Sequence, residues 1–70
     1  MNKTCNDWTR LDFPDRPKTG MYWWVASLDQ LHLRKHLFVD KTGMIHDFSY
    51  GFPTAIHNTN TGNGGWWYRL

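Results

Sequence analysis

The chain holds one cysteine, Cys5, so no intrachain disulfide can form. No apolar segment approaches the roughly 20 residues that a membrane helix needs. Met1 to Asp7 contains no apolar stretch of signal-peptide type. A cytoplasmic protein with a free Cys5 thiol is therefore expected. Runs of one charge are missing too. Eight lysines and arginines stand against six acidic residues, a formal net charge of +2, and the cations are scattered. That balance permits nucleic acid or an acidic protein as a partner and demands neither.

The chemistry of catalysis is equally sparse. Asp29, Asp40 and Asp47 form no recognisable carboxylate pair. Thr42-Gly43 and Gly62-Asn63-Gly64-Gly65 neither match a phosphate loop nor open a helix. A cysteine paired with a histidine can act as a nucleophile. Cys5, however, lies in a polar tail, residues 1–6, that is expected to be disordered. A chain of 70 residues also leaves little room for a pocket beside its core. The expectation is a protein without enzyme activity and without a cofactor.

What the chain has is aromatic bulk. Five tryptophans, three tyrosines and four phenylalanines stand in for the missing disulfides. Each buries about 150–250 Å² when packed. Four tryptophans form two adjacent pairs, Trp23-Trp24 and Trp66-Trp67, flanked by Tyr22 and Tyr68. In a strand, neighbouring side chains point to opposite faces. Each pair thus puts one ring in the core and one on the other face. The second ring either covers a small core or forms a patch that binds something.

The pattern along the chain predicts one mainly β domain over residues 1–70. Its architecture is a small antiparallel sheet or an SH3-like, five-stranded barrel, with a short helical turn allowed near 28–33. Trp8 to Phe13 reads as a short strand whose Trp8 is out of phase with Leu11 and Phe13, as a bulge would make it. Pro14 to Gly20 is a loop. Met21 to Ser27 is a strand with Tyr22 and Trp24 on one face and Met21, Trp23 and Val25 on the other.

Ser27 to Gln30 fits a capping box. The spacing of Leu31, Leu33, Leu37 and Val39 instead fits a strand from about 31 to 39. Asp40-Lys41-Thr42-Gly43 predicts a hairpin with a three-residue loop and a bulge at Gly43. The pairs that follow are Val39 with Ile45, Phe38 with His46, Leu37 with Asp47, and His36 with Phe48. Thr54 to His57 is a short strand candidate. Asn58 to Gly65 reads as a flexible polar loop before a closing strand, Trp66 to Leu70.

Two constellations carry functional weight. If 31–39 is a strand, His32 and His36 share a face with His46 and could hold a metal, although no recognised ligand spacing is present. No metal site is expected from the pattern itself. The stronger constellation is aromatic and basic interleaving, with Arg34, Lys35, Arg10 and Arg69 around exposed rings. The chosen binding residues are Trp24, Trp67, Tyr68, Arg34, His36 and His46. Bases stack on such rings while cations hold phosphates. Trp, Tyr and Arg also dominate protein–protein hot spots. A protein partner is the leading expectation, and single-stranded nucleic acid or a nucleotide is the alternative. A homodimer is also expected, because a small sheet exposes an edge.

Trp8, the prolines Pro14 and Pro17, Gly20, Tyr22-Trp23 and Trp66-Trp67 form a pattern that resembles small phage and prophage proteins of unknown function. The resemblance implies a phage-encoded accessory protein that blocks a host or defence protein by binding it in the host cytoplasm.

Overall fold

The strand-forming aromatic and β-branched segments assemble into one sheet. The computed structural model describes residues 3–5, 7–56 and 60–70. Among these, the strands are β1 (Lys3–Cys5), β2 (Trp8–Arg10), β3 (Gly20–Val25), β4 (Lys35–Val39), β5 (Ile45–Asp47) and β6 (Trp66–Arg69). They form an antiparallel sheet in the order β1-β2-β6-β3-β4-β5. The sheet is open, so the barrel alternative is not the one the chain adopts.

The β4–β5 hairpin has the predicted register, Leu37 with Asp47, Phe38 with His46 and Val39 with Ile45. The Phe48 amide donates to the His36 carbonyl at 2.8 Å, extending the same register. Gly43 takes φ 86°, the left-handed value that the bulged loop requires. Asp40 ties the loop. Its Oδ1 accepts from the Thr42 amide (2.8 Å), the Thr42 hydroxyl (2.6 Å) and the Met44 amide (3.1 Å).

Several expectations need correction. Lys3–Cys5 pairs with β2, so this part of the supposed tail belongs to the sheet. The turn leading to β2 places Asp7 at φ 69°, a region that aspartate tolerates better than most residues. Residues 1, 2 and 6 lie outside the described residues. Trp8 needs no bulge. It sits on the face opposite Thr9 and Leu11, as parity requires.

The strand expected over 31–39 begins only at Lys35, and Leu28–Leu33 forms a 3₁₀ helix. The capping box does not form. The Ser27 hydroxyl donates to Asp29 Oδ1 at 2.6 Å instead of capping an amide. The Thr54–His57 strand reduces to a single bridge between Asp47 and Thr54, and His57 lies outside the described residues.

One face of the sheet is the core. Leu37 and Val39 are fully buried, and Trp67, Tyr22, Trp24 and Leu11 surround them, with Ile45 and Ile56 packed at the edge. Two polar tips on this face have partners, whereas the buried Trp67 Nε1 has none. The Tyr22 hydroxyl donates to the Lys18 carbonyl and accepts from Arg69 Nη1, both at 2.8 Å. Trp24 Nε1 donates to the Gly64 carbonyl at 2.7 Å.

That last bond identifies the lid of the core. Residues 60–65 read as part of a flexible connector, yet Thr61 and Gly62 are buried. The Leu11 amide donates to the Gly65 carbonyl at 3.1 Å, and Arg16 Nη2 donates to Asn63 Oδ1 at 2.7 Å. The glycines serve close approach. A Cβ at Gly65 would lie 2.7 Å from the Val25 carbonyl oxygen and 2.8 Å from Trp24 Nε1. Residues 58 and 59 of the expected loop lie outside the described residues.

Candidate binding face

The other face of the sheet carries a row of rings. Parity along each strand selects them: Trp8 on β2, Tyr68 on β6, Trp23 on β3, His36 and Phe38 on β4, His46 on β5, then Phe48. Trp8 and Tyr68 have ring centroids 5.3 Å apart. Tyr68 is the register partner of Trp23. Trp23 lies 5.2 Å from His36, and His36 lies 5.4 Å from Phe48. Phe38 joins the row 6.3 Å from Phe48 and 5.9 Å from His46. All these rings are half-buried. Ring contacts join them in two groups, Trp8–Tyr68 and Trp23–His36–Phe48–Phe38–His46, which strand register sets side by side, and each ring leaves part of its surface to solvent.

The electrostatics of this face are local. Arg34 Cζ stands 4.8 Å from the Trp23 ring centroid, in cation–π range. Its Nη1 donates to the Leu31 carbonyl at 3.1 Å, so the 3₁₀ helix holds the guanidinium in place. At the far end, His46 Nε2 meets Asp40 Oδ2 at 2.9 Å. That contact, followed by the Thr42 hydroxyl, holds the Asp40 carboxyl well below the usual carboxylate range. Asp47 is also lowered, chiefly by the Ser49 side chain. His36 Nε2 is buried in the middle of the row without a hydrogen-bond partner.

The structure separates the residues chosen from the sequence. Tyr68, Arg34, His36 and His46 belong to the aromatic face. Trp24 and Trp67 do not, because they are 6% and 2% exposed and line the core. Parity puts the two rings of a pair on opposite faces but does not say which face is covered. Here the lid and the Pro14–Thr19 loop cover the face of Trp24 and Trp67. The half-exposed partners are Trp23 and Trp66.

The basic set splits as well. Arg69 bonds Tyr22 on the core side, Lys35 is the register partner of Trp24, and Arg10 pairs with Asp12 at 3.3 Å. Among the described residues Arg34 is the one cation shown against the aromatic row. The three histidines named as weak metal ligands do not converge either. His32 rides on the exposed 3₁₀ helix, and the described residues assemble no group of three metal-type ligands. Trp8 and Trp23 were missed as binding residues. The out-of-phase position of Trp8 was the signal for one of them.

No helix among the described residues is long and apolar enough to cross a membrane. No family model matches this chain, and no curated protein or solved structure matches it either.

Proposed function

We propose that this chain is a small non-enzymatic binding protein that docks on a larger protein through its open aromatic face. The observation that supports this reading is the row of half-exposed rings from Trp8 to His46, two ring clusters set side by side by the Trp23–Tyr68 register and crossing from β2 to β5. Such rings offer large contact area at low entropic cost, and Trp, Tyr and Arg are the usual anchors of protein interfaces. Arg34 over Trp23 supplies a polar contact within an apolar patch. A phage-encoded accessory protein that blocks a host or defence protein is the biological setting that fits a domain of this size. Nucleic acid fits less well, because strand binding needs cations along the rings to hold phosphates, and these cations are divided between the two faces.

The test is affinity capture from bacterial lysate with the wild type and a Trp23→Ser/Tyr68→Ser variant, each at two salt concentrations. The expected result is a partner retained by the wild type at both and lost by the variant. Capture that is identical for both proteins would refute the reading. Capture of nucleic acid that falls steeply with salt would replace the protein partner with a nucleic-acid one.

A further inference from the structure

Of the five asparagines in the chain, only Asn63 precedes a glycine. That order has a chemical consequence. The backbone nitrogen after an asparagine can close a five-membered ring on the side-chain Cγ. A side chain on the following residue hinders the closure, and glycine has none.

The fold adds two features to this dipeptide. The first is an uncommitted nucleophile. The Gly64 carbonyl takes the Trp24 Nε1–H at 2.7 Å, and the Gly65 carbonyl takes the Leu11 amide at 3.1 Å. The Gly64 nitrogen itself enters no hydrogen bond with the described residues. The second is a charged donor on the electrophile. Arg16 Nη2 donates to Asn63 Oδ1 at 2.7 Å, and its Nη1 donates to the Gly62 carbonyl at 3.5 Å. A guanidinium on that oxygen withdraws electron density from Cγ. It also stabilises the oxyanion that forms as the nitrogen adds. Asn63 lines a surface cavity of ≈ 280 Å³, which admits water.

We propose that Asn63 is a self-modification site, converted to aspartate and isoaspartate with Arg16 as the oxyanion donor. The Gly64 nitrogen loses its proton and bonds to Cγ. The Cγ–Nδ2 bond breaks, and the departing nitrogen takes up a proton through water and leaves as ammonia. One water then opens the succinimide ring. Attack at Cγ gives aspartate; attack at the backbone carbonyl carbon gives isoaspartate. One water is consumed, one ammonia is released, and nothing is oxidised or reduced.

The two products act on the lid in opposite ways. Aspartate sets a carboxylate against Arg16 in place of a neutral acceptor and ties the lid to the Pro14–Thr19 loop. Isoaspartate lengthens the main chain by one carbon ahead of Gly64. It displaces the Gly64 and Gly65 carbonyls from Trp24 and Leu11. The site lies on the core side of the sheet and is independent of the aromatic row.

The test is incubation of wild type, Arg16→Lys, Arg16→Gln and Asn63→Gln at mildly alkaline pH, in buffer and in concentrated urea. Peptide mass spectrometry reads the exchange of amide for acid at each asparagine, and electron-transfer fragmentation separates aspartate from isoaspartate. In buffer, wild type should react at Asn63 ahead of the other four asparagines. Arg16→Gln should slow this about tenfold or more, as losing one charged oxyanion donor does. Arg16→Lys keeps the charge and should slow it less. In urea, where the contact is gone, these three proteins should react at one rate. The Trp24 indole ¹⁵N–¹H signal of wild type should give way to new signals as Asn63 is lost, and that of Asn63→Gln should persist.

Three results would overturn the proposal. One is exchange that favours another asparagine in buffer. Another is a folded Arg16→Gln that reacts as fast as wild type, or faster, which would make Arg16 a restraint; if Arg16→Gln does not fold, the same result with Arg16→Lys counts instead. The third is a Trp24 signal that stays unchanged while Asn63 is lost.

Discussion

Replacing Gly65 with alanine tests whether residues 60–65 are a lid or a connector. Gly65 has φ 78°, so alanine there pays the left-handed penalty of about 1–2 kcal/mol. The added Cβ also meets the Val25 carbonyl oxygen at 2.7 Å and Trp24 Nε1 at 2.8 Å. The first is backbone and cannot swing aside. Relieving that contact costs about 1–3 kcal/mol, as overpacking does. Pushing the Trp24 ring away also strains its bond to Gly64, worth about 0.5–1.5 kcal/mol. The sum is about 2.5–6.5 kcal/mol.

Gly51 is the control. Its φ is 83° and a Cβ there meets nothing within 4 Å, so Gly51→Ala should lose only the backbone part, about 1–2 kcal/mol. A domain of this length has about 3.5–10 kcal/mol in all. Urea unfolding followed by tryptophan fluorescence should give a midpoint for Gly51→Ala somewhat below wild type. Gly65→Ala should be much lower, or unfolded in buffer. In thermal unfolding the two variants should differ by at least about 6 °C, at about 4–8 °C per kcal/mol. Equal losses in the two variants would refute the packed lid and restore the flexible connector.

Tyr22→Phe removes a hydroxyl that bonds both Lys18 and Arg69 in the core, and should cost about 1–3 kcal/mol in urea unfolding; an unchanged midpoint would mean that these bonds add nothing net. The folded-state pKa of Asp40 is depressed, so its contribution is complete above the unfolded carboxylate value near 3.9 and is lost as pH falls through the folded value. Unfolding midpoints of wild type and Asp40→Asn should therefore differ at neutral pH and converge in strong acid, and a gap independent of pH would contradict this. The outer edge of β1 pairs with no described segment, so wild type should dimerise at high micromolar concentration and Thr4→Pro should not; light scattering that gives a monomer mass for both would rule out pairing at this edge.

The parts of the fold that local chemistry dictates were legible in the sequence. Asp40 to Gly43 encodes its turn, and alternation on both sides then fixes every pair of the β4–β5 hairpin. The facing of Tyr22, Trp23, Trp24 and Val25 follows from strand parity alone. What parity cannot supply is which face is covered, because that depends on segments distant in sequence. Residues 60–65 and Lys18 select the face of Trp24 and Trp67, so the half-exposed rings of the two pairs are Trp23 and Trp66. Glycine in 62–65 was read as freedom, whereas its small size is what brings the lid backbone against Val25 and Trp24. The Leu31–Leu33 alternation misled because two leucines fit one 3₁₀ turn as well as a strand. Lys3-Thr4-Cys5 showed no apolar pattern, since its place in the sheet is set by backbone pairing with β2.

The central claim is that this protein works through the face bearing Trp8, Trp23 and Tyr68. Hydroxyl-radical footprinting of the protein alone and in its captured complex tests it most directly. Trp8, Trp23 and Tyr68 should be oxidised in the free protein and protected in the complex, while Trp24 and Trp67 stay unreactive in both. Protection confined to Arg16–Lys18, or oxidation of Trp23 that is the same in both states, would contradict it.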